Sequence, residues 1–195
     1  MIQSEDKWLI VVCGLPGTGK TESSKKLAER LPLLVCISQN EVRREFGMKR
    51  MPKTQDSVLR EIDRRIATCL MFGKSVVFDS VNRYQFRRQQ LYGVASCLGA
   101  RVVTLEMTCP EEIAKERMTH RPSADGLVSD ASDPKVYDKM RIEWEDVIMD
   151  FKHPGVDHVS YIKFDSHVGE IMRIIQRNGL KRFISKIGRI LNKIA

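Results

Sequence analysis

The sequence predicts a three-layer α/β/α fold with a mainly parallel sheet, followed by an amphipathic helical extension at the C-terminal end. Two observations support this prediction: short apolar runs alternate with helical patterns along the 195-residue chain, and a glycine-rich turn follows the first apolar run. Most of these runs are apolar on both faces, as expected of strands that helices cover on both sides of a sheet. We therefore expect right-handed crossovers between parallel strands.

The elements are predicted in a strand–helix order. Apolar runs predict strands at residues 8–13, 33–37, 75–79, 101–107 and 158–164. Helices are predicted between them at about residues 21–31, 54–72, 84–98 and 110–119. The next segment is the least apolar part of the body and contains two prolines and a glycine, so we expect a surface lid at about residues 119–136.

The positive charge is concentrated in the last part of the chain. Of the formal net charge of +8, residues 170–195 contribute +6, because they contain seven Lys/Arg and one acid. We expect a domain over residues 1–168 and a basic helical tail over 169–195. The stretch LKRFISKIGRILNKIA has an apolar stripe opposite mostly basic positions. Such a helix can lie on an anionic membrane, contact RNA phosphates, dock on a protein partner, or pack on the body or a second subunit.

The cysteines and the first residues indicate a reducing compartment. Five cysteines occur without paired short spacing, which favours neither a disulfide framework nor a zinc site. The opening MIQSEDKW lacks the apolar core of a signal peptide, and the chain has no run of eighteen apolar residues. We therefore expect a cytoplasmic location.

The glycine-rich turn lies within VVCGLPGTGKTESSKKL and has the spacing G-x-x-x-x-G-K-[ST]. Its glycines allow successive amides to turn toward one oxyanion, and the following helix adds unpaired N–H groups. Lys20 is expected to reach the β- and γ-phosphates of ATP, and the Thr21 hydroxyl to bind Mg²⁺. A turn without a ligand is the alternative. The residues predicted to bind ATP are Gly14, Leu15, Pro16, Gly17, Thr18, Gly19, Lys20 and Thr21.

Four further stretches follow the turn in the order ISQNEVRREFG, VVFDSVNRYQFRRQQL, LEMTCPEEIAKERMTHR and SDASDPKVYDKM. With the turn, they resemble the polynucleotide-kinase-like P-loop phosphotransferases, which include kinases of RNA ends and of seryl-tRNA. The resemblance covers about residues 8–165. It implies a P-loop NTPase fold, ATP and Mg²⁺ as cofactors, and transfer of the ATP γ-phosphate to a hydroxyl acceptor. That acceptor is an RNA or DNA end, a tRNA-linked group or a small molecule.

Asp79 ends the third predicted strand, where a carboxylate can hold the water shell of Mg²⁺, although such a residue can also cap the next element. The resemblance implies that Asn82 contacts the acceptor side. It also implies that Arg117 and Arg121 are lid arginines that close over the triphosphate, where fixed cations stabilise the migrating phosphoryl group. The alternative is that both arginines complement the dipole at the end of a helix.

One position departs from the family pattern. The second strand of the family usually ends in Ser-Asp-x-x-Arg, in which the aspartate accepts the proton of the attacking hydroxyl and the arginine steadies the acceptor. Aligning Arg43 with that arginine places Asn40 at the aspartate position. A carboxamide can orient a hydroxyl but cannot take its proton at neutral pH. Glu41 is the nearest replacement carboxylate. The protein is therefore expected to be a kinase that uses Glu41 or no strong base, or an ATP-binding regulator with weak or no kinase activity.

Overall fold

The computed structural model describes residues 7–47, 52–120, 132–152, 156, 158–176 and 181–193, and it confirms the predicted three-layer fold. The strands are β1 (Trp8–Cys13), β2 (Leu34–Ser38), β3 (Ser75–Asp79), β4 (Arg101–Thr108), β5 (Val159–Asp165) and β6 (Glu170–Ile175). The α-helices are α1 (Lys20–Arg30), α2 (Gln39–Glu45), α3 (Pro52–Met71), α4 (Gln85–Cys97), α5 (Glu111–Thr119), α6 (Pro134–Ile142) and α7 (Lys181–Leu191). A 3₁₀ helix spans Val147–Lys152.

The strands form a sheet in the order β2-β3-β1-β4-β5-β6, in which every neighbouring pair except β5-β6 is parallel. Parallel pairing brings the C-terminal ends of the strands to one edge. Val12 of β1 and Ser38 of β2 both lie beside Asp79 of β3 in the strand register. The polar residues that follow these strands therefore meet at this edge, which is where α/β sheets bind ligands.

β1 is buried along its whole length and has an apolar layer on each side. Ile10 and Val12 belong to the core formed with α1 and α7, whereas Leu9 and Val11 belong to the core formed with α3 and α4. Alternate residues of a strand point to opposite faces, so a run that is apolar at every position is buried on both. This strand is the rigid support of the loop that follows it.

β6 corrects the expectation that the segment from residue 169 is a helical tail. Residues 170–175 form a strand antiparallel to β5, and the helix in the described part of this segment is α7. The sequence EIMRII is rich in β-branched residues, and Gly169, with φ +74°, makes the turn that returns the chain to the sheet edge. The helix α2 is also absent from the predicted elements, because seven residues are too few to show a periodic apolar face.

The apolar stripe of α7 packs on the body of the protein. Ile184, Ile187 and Leu191 are buried in the core that also contains Trp8. The ring of Phe183 stacks on Trp8, with centroids 3.8 Å apart and planes inclined by 18°. Packing on the body is therefore the placement that the structure shows for this stripe. Among the helices of the described ranges, none has both the length and the apolar character that a membrane span requires.

We expect Ile187→Ala to lower the free energy of unfolding by about 2–5 kcal/mol, because it leaves a cavity between α7 and the core. Ile142→Ala, at an isoleucine that is 86% exposed, is the matched control and should change that free energy by less than about 0.5 kcal/mol. Urea denaturation followed by tryptophan fluorescence measures both variants. Equal effects of the two substitutions would contradict the docking of α7.

Candidate active site

The glycine-rich loop between β1 and α1 passes through a space that has no room for a side chain. Gly14 has φ +147° and Gly17 has φ +81°, angles that residues with a Cβ rarely adopt. A Cβ at Gly14 would lie 2.4 Å from the carbonyl oxygen of Met107, and one at Gly17 would lie 2.2 Å from that of Ala114. Backbone contacts with β4 and α5 therefore define the path of the loop. A Cβ at either glycine would collide with that backbone, so the loop would have to move.

The interior of this loop collects hydrogen-bond donors. α1 begins at Lys20, and within the described residues no side chain caps its first turn. The N-terminus of a helix is a favourable place for an anion. The Nζ atom of Lys20 donates to the carbonyl oxygen of Leu15 at 2.7 Å, and the Oγ1 atom of Thr18 donates to the same oxygen at 2.8 Å. The predicted residues from Gly14 to Thr21 form this turn together. Their arrangement suits a polyphosphate.

Thr21 and Asp79 meet beside the loop. The Oγ1 atom of Thr21 donates to Oδ2 of Asp79 at 2.8 Å, and the Oγ atom of Ser38 donates to the same oxygen at 3.3 Å. A carboxylate with two hydroxyls is a set of hard oxygen donors, and it fits Mg²⁺, which keeps several waters and uses few protein ligands. In the part of the chain that the structure describes, no group of three or more His, Cys, Asp or Glu side chains forms a metal cluster.

The turn after β3 is tied to the phosphate-binding loop. The backbone N–H of Gly14 donates to the carbonyl oxygen of Val81 at 3.2 Å. Asn82 is buried with φ +45°, and its Nδ2 atom donates to the carbonyl oxygen of Val12 at 2.7 Å. The side-chain nitrogen of Asn82 thus holds this turn against β1, and its contact with an acceptor stays a prediction.

Asn40 and Arg43 lie on the same face of α2. The Nη1 atom of Arg43 is 3.4 Å from Oδ1 of Asn40, and its Nη2 atom donates to Oε1 of Gln55 on α3 at 2.5 Å. α2 starts directly after Ser38, whose hydroxyl touches the carboxylate of Asp79, so these two side chains follow the metal-side residues at the same sheet edge. The structure therefore brings the predicted acceptor pair to the expected end of β2.

Glu41 has a different environment from Asn40. Its carboxylate forms an ion pair with Lys25 of α1 at 3.7 Å, and both side chains are partly exposed. It also lines a cleft of about 260 Å³ at the outer edge of β2, together with Cys36 and Arg65. Burial raises the pKa of the Cys36 thiol to about 12, so this cleft contains a neutral thiol. Glu41 is not placed with the Asn40–Arg43 pair.

Arg117 connects α5 to the turn after β5. Its Nη1 atom donates to Oγ of Ser166 at 2.9 Å, and its Nη2 atom donates to the Ser166 carbonyl oxygen at 3.3 Å. A Cβ at Gly19 would lie 3.4 Å from Cβ of Ser166, so the same turn borders the phosphate-binding loop. Arg121 and the lid residues 121–131 lie outside the described residues.

Arg88 is a buried residue that is not among the predicted site residues. Its guanidinium donates to both carboxylate oxygens of Asp150 at 2.7 Å, and its Nη1 atom donates to the carbonyl oxygens of Asn82 and Arg83 at 3.0 Å. The pair therefore fixes the turn after β3, and loss of one partner would leave an uncompensated buried charge. A signal was available in the sequence, since Arg88 shares the helical stripe of Leu91, Tyr92 and Ala95.

Two thiols adjoin the loop, and neither supplies a nucleophile. Burial raises the pKa of Cys13, with the carboxylate of Glu106 adding to the effect. Burial also raises the pKa of Cys109, although the charge of Arg117 opposes it. A raised pKa keeps each sulfur protonated at neutral pH, and the thiolate is the reactive form. The polar chemistry of this edge therefore rests on oxygen and nitrogen groups.

The AAA domain family matches residues 9–142, which is more than half of the chain. The chain belongs to this family. A curated relative, L-seryl-tRNA(Sec) kinase of Methanococcus maripaludis, is 22% identical over 178 residues, covering 89% of this chain and 68% of the relative. The recognition of a small P-loop kinase family from the motifs is thus confirmed.

Solved structures show the same fold. A protein assigned as a kinase from Chloroflexus aurantiacus j-10-fl has a TM-score of 0.64 at 17% identity, covering 92% of this chain and 97% of that one. Kti12 of Chaetomium thermophilum, solved with ADP-AlF3, has a TM-score of 0.58 at 18% identity, covering 95% and 96%. A chain of the Pnkp1/Rnl/Hen1 complex has a TM-score of 0.55 at 15% identity. The match covers 62% of this chain and 41% of that longer chain.

We expect Gly17→Ala to weaken nucleotide binding by about tenfold to a hundredfold, which corresponds to the roughly 1–3 kcal/mol that a strained backbone costs. The added Cβ would collide with the backbone of α5, so the loop must move. Gly93→Ala is the matched control, because a Cβ there meets nothing within 4 Å. Calorimetric titration with ATP and Mg²⁺ measures both. Unchanged affinity in Gly17→Ala would show that the loop is not the binding element.

Proposed function

We propose that the protein is an ATP- and Mg²⁺-dependent phosphotransferase that moves the γ-phosphate of ATP to a hydroxyl acceptor. One observation supports this proposal above the others: the lysine-bearing loop and the Thr21–Asp79 contact occupy one point at the C-terminal edge of the sheet. A phosphate cradle beside a carboxylate–hydroxyl pair is the arrangement that phosphoryl transfer requires.

The residues of this edge have separable roles in the proposed reaction. Lys20 and the N–H groups at the start of α1 bind the phosphates and orient the γ-phosphorus. Thr21 and Asp79, with Ser38 beside them, would hold Mg²⁺, which when bound neutralises the phosphate oxygens. Arg117, held by Ser166 next to the loop, supplies a fixed cation for the charge on the transferred group, and Arg121 is proposed as a second lid cation.

Asn40 and Arg43 are proposed to orient the acceptor hydroxyl. The amide oxygen of Asn40 can accept a hydrogen bond from that hydroxyl, and Asn82 completes the acceptor side in this proposal. The carboxylate of Glu41 forms an ion pair with Lys25 of α1, so we assign no base role to Glu41. Transfer then proceeds through a loose transition state that depends mainly on positioning, without the general base whose help is worth about 10²–10⁴-fold in rate. The acceptor oxygen bonds to the γ-phosphorus as its bond to ADP breaks, and the hydroxyl proton passes to water.

The acceptor is proposed to be a hydroxyl group on a nucleic acid. Support comes from the relatives, since the curated relative is by name a seryl-tRNA kinase and one structural neighbour belongs to the Pnkp1/Rnl/Hen1 complex. A small-molecule acceptor is the alternative, and one transfer assay tests both. Radiolabelled γ-phosphate transfer to 5′-hydroxyl RNA and DNA, to aminoacylated tRNA and to small polyols separates these classes.

We expect Lys20→Ala to lower the affinity for ATP with Mg²⁺ at least tenfold, or about 1.4 kcal/mol, and to abolish transfer to every acceptor. Lys74→Ala, at an exposed lysine before β3, is the control and should leave both properties unchanged. Equilibrium titration and the transfer assay measure the two properties separately. Equal ATP binding by wild type and Lys20→Ala would refute the proposal.

The second candidate function is an ATP-binding regulator with weak or no kinase activity. The observation that favours it is the carboxamide of Asn40 at the base position, with Glu41 paired to Lys25. We expect Asn40→Asp to raise transfer to the true acceptor by up to about 10²–10⁴-fold, because it restores a proton acceptor. Glu41→Gln, assayed in parallel, should change little. If Asn40→Asp shows no gain with any acceptor, the regulator becomes the better assignment.

A further inference from the structure

We propose that the outward side of α7 binds the phosphate backbone of a nucleic acid. This surface, termed the basic face, consists of Lys181, Arg182, Lys186, Arg189 and Lys193, all exposed or half-exposed. Its link to catalysis rests on the proposed function, because it would recruit a polynucleotide acceptor. The binding itself is independent of phosphoryl transfer and is measured separately.

The packing of α7 argues against insertion into a membrane. An interfacial helix binds a bilayer by burying its apolar stripe among the lipids. In this protein, Ile184, Ile187 and Leu191 are already buried in the core, and Phe183 is stacked on Trp8. The surface that remains is cationic, so the partner it fits is a polyanion rather than a hydrocarbon layer.

The basic face differs from the other arginine clusters in its lack of carboxylate partners. Arg65, Arg87 and Arg88 pair with carboxylates on other helices or segments. Across the described ranges, by contrast, no ion pair involves a residue of the basic face, and Arg189 donates to a carbonyl of its own helix. A ligand that carries negative charge can therefore meet these cations without displacing an internal partner.

The spacing of the basic face matches a row of phosphates. Arg182, Lys186, Arg189 and Lys193 recur every three or four residues, so they line one side of the helix. At 1.5 Å per residue the row is about 16 Å long. Measured along the axis of a duplex, where the phosphates of one strand rise by roughly 3.4 Å each, that length corresponds to about five phosphates. The row is long enough to hold a stretch of backbone and too long for one free phosphate.

The orientation of α7 directs this row toward the candidate active site. Phe183 packs on Trp8, the first residue of β1, whereas Gly188 lies against Ile171. Ile171 pairs with Phe164, two residues before Ser166, which accepts a hydrogen bond from Arg117. The C-terminal half of α7 therefore lies toward the sheet edge that carries the phosphate-binding loop. A polynucleotide on the basic face is guided along it to that edge.

The test neutralises the row in the full chain. The variant Arg182→Gln/Lys186→Gln/Arg189→Gln/Lys193→Gln is compared with a control of equal charge change, Arg60→Gln/Lys74→Gln/Lys139→Gln/Lys152→Gln, whose four residues are exposed and lie outside α7 and the predicted lid. Anisotropy of a fluorescent 5′-hydroxyl RNA of about 20 nucleotides is titrated at several salt concentrations. ATP binding and unfolding are measured on both variants to show that the fold and the nucleotide site are intact.

We expect the α7 variant to bind the RNA at least about tenfold more weakly, and its plot of log affinity against log salt to lose about 0.7 of slope for each phosphate contact removed. The control should keep most of the wild-type affinity and slope. Equal loss in both variants, or no loss in the α7 variant, overturns the proposal. So does α7-dependent sedimentation with phosphatidylserine vesicles in the absence of RNA binding.

The two proposals fail in different ways. If RNA binding depends on α7 while no acceptor is phosphorylated, the basic face stands and the phosphotransferase assignment fails. If a small hydroxyl acceptor is phosphorylated equally by wild type and the α7 variant, and RNA binding is the same in both, the assignment stands and the basic face is refuted.

Discussion

The close backbone contact of the glycine-rich loop with β4 and α5 is the constraint on which the site depends. Because Gly14 and Gly17 carry no side chain, the loop can lie within contact distance of the carbonyl groups of Met107 and Ala114. The loop leads into α1, whose first turn has no side-chain cap within the described residues. Parallel pairing then brings Asp79 beside Thr21, so the glycine-rich loop and these two oxygen donors share one edge of the sheet. Each part of the site follows from the same strand register.

Buried and exposed arginines and lysines have different surroundings in this protein: the buried Arg88 is paired with a carboxylate, whereas the basic residues of α7 face solvent. Arg88 is fully buried, and its cost of desolvation is offset by two hydrogen bonds to Asp150 and by carbonyl acceptors of the turn that touches the phosphate-binding loop. The basic residues of α7 instead stand on a helix whose apolar stripe anchors it to the core. A near-neutral body with a cationic helix concentrates the positive potential of the protein at α7.

The predicted acceptor side departs from the family pattern, because Asn40 stands where the family has an aspartate. The carboxamide of Asn40 contacts Arg43 at the end of β2, and the neighbouring carboxylate of Glu41 is directed to Lys25. Adjacent residues of a helix do not face one another, so Glu41 cannot substitute for a base at position 40 without a rotation of α2. Positioning and electrostatic stabilisation can still support phosphoryl transfer, because its loose transition state leaves little covalent chemistry for the protein to do.

Local patterns were enough to define the alternation of strands and helices and the glycine-rich loop, and they predicted Thr21 and Asp79 as metal-side residues without predicting their contact. These features depend on periodicity, on glycine angles and on parallel strand ends, all of which are encoded over short distances. Contacts between segments that are distant in the sequence could not be predicted from local patterns. Four features depend on which surfaces meet after folding. They are the strand β6, the burial of Arg88 against Asp150, the ion pair of Glu41 with Lys25 and the stacking of Phe183 on Trp8. An amphipathic stripe specifies that a helix needs an apolar partner, and only the packed core determines that the partner is the protein itself.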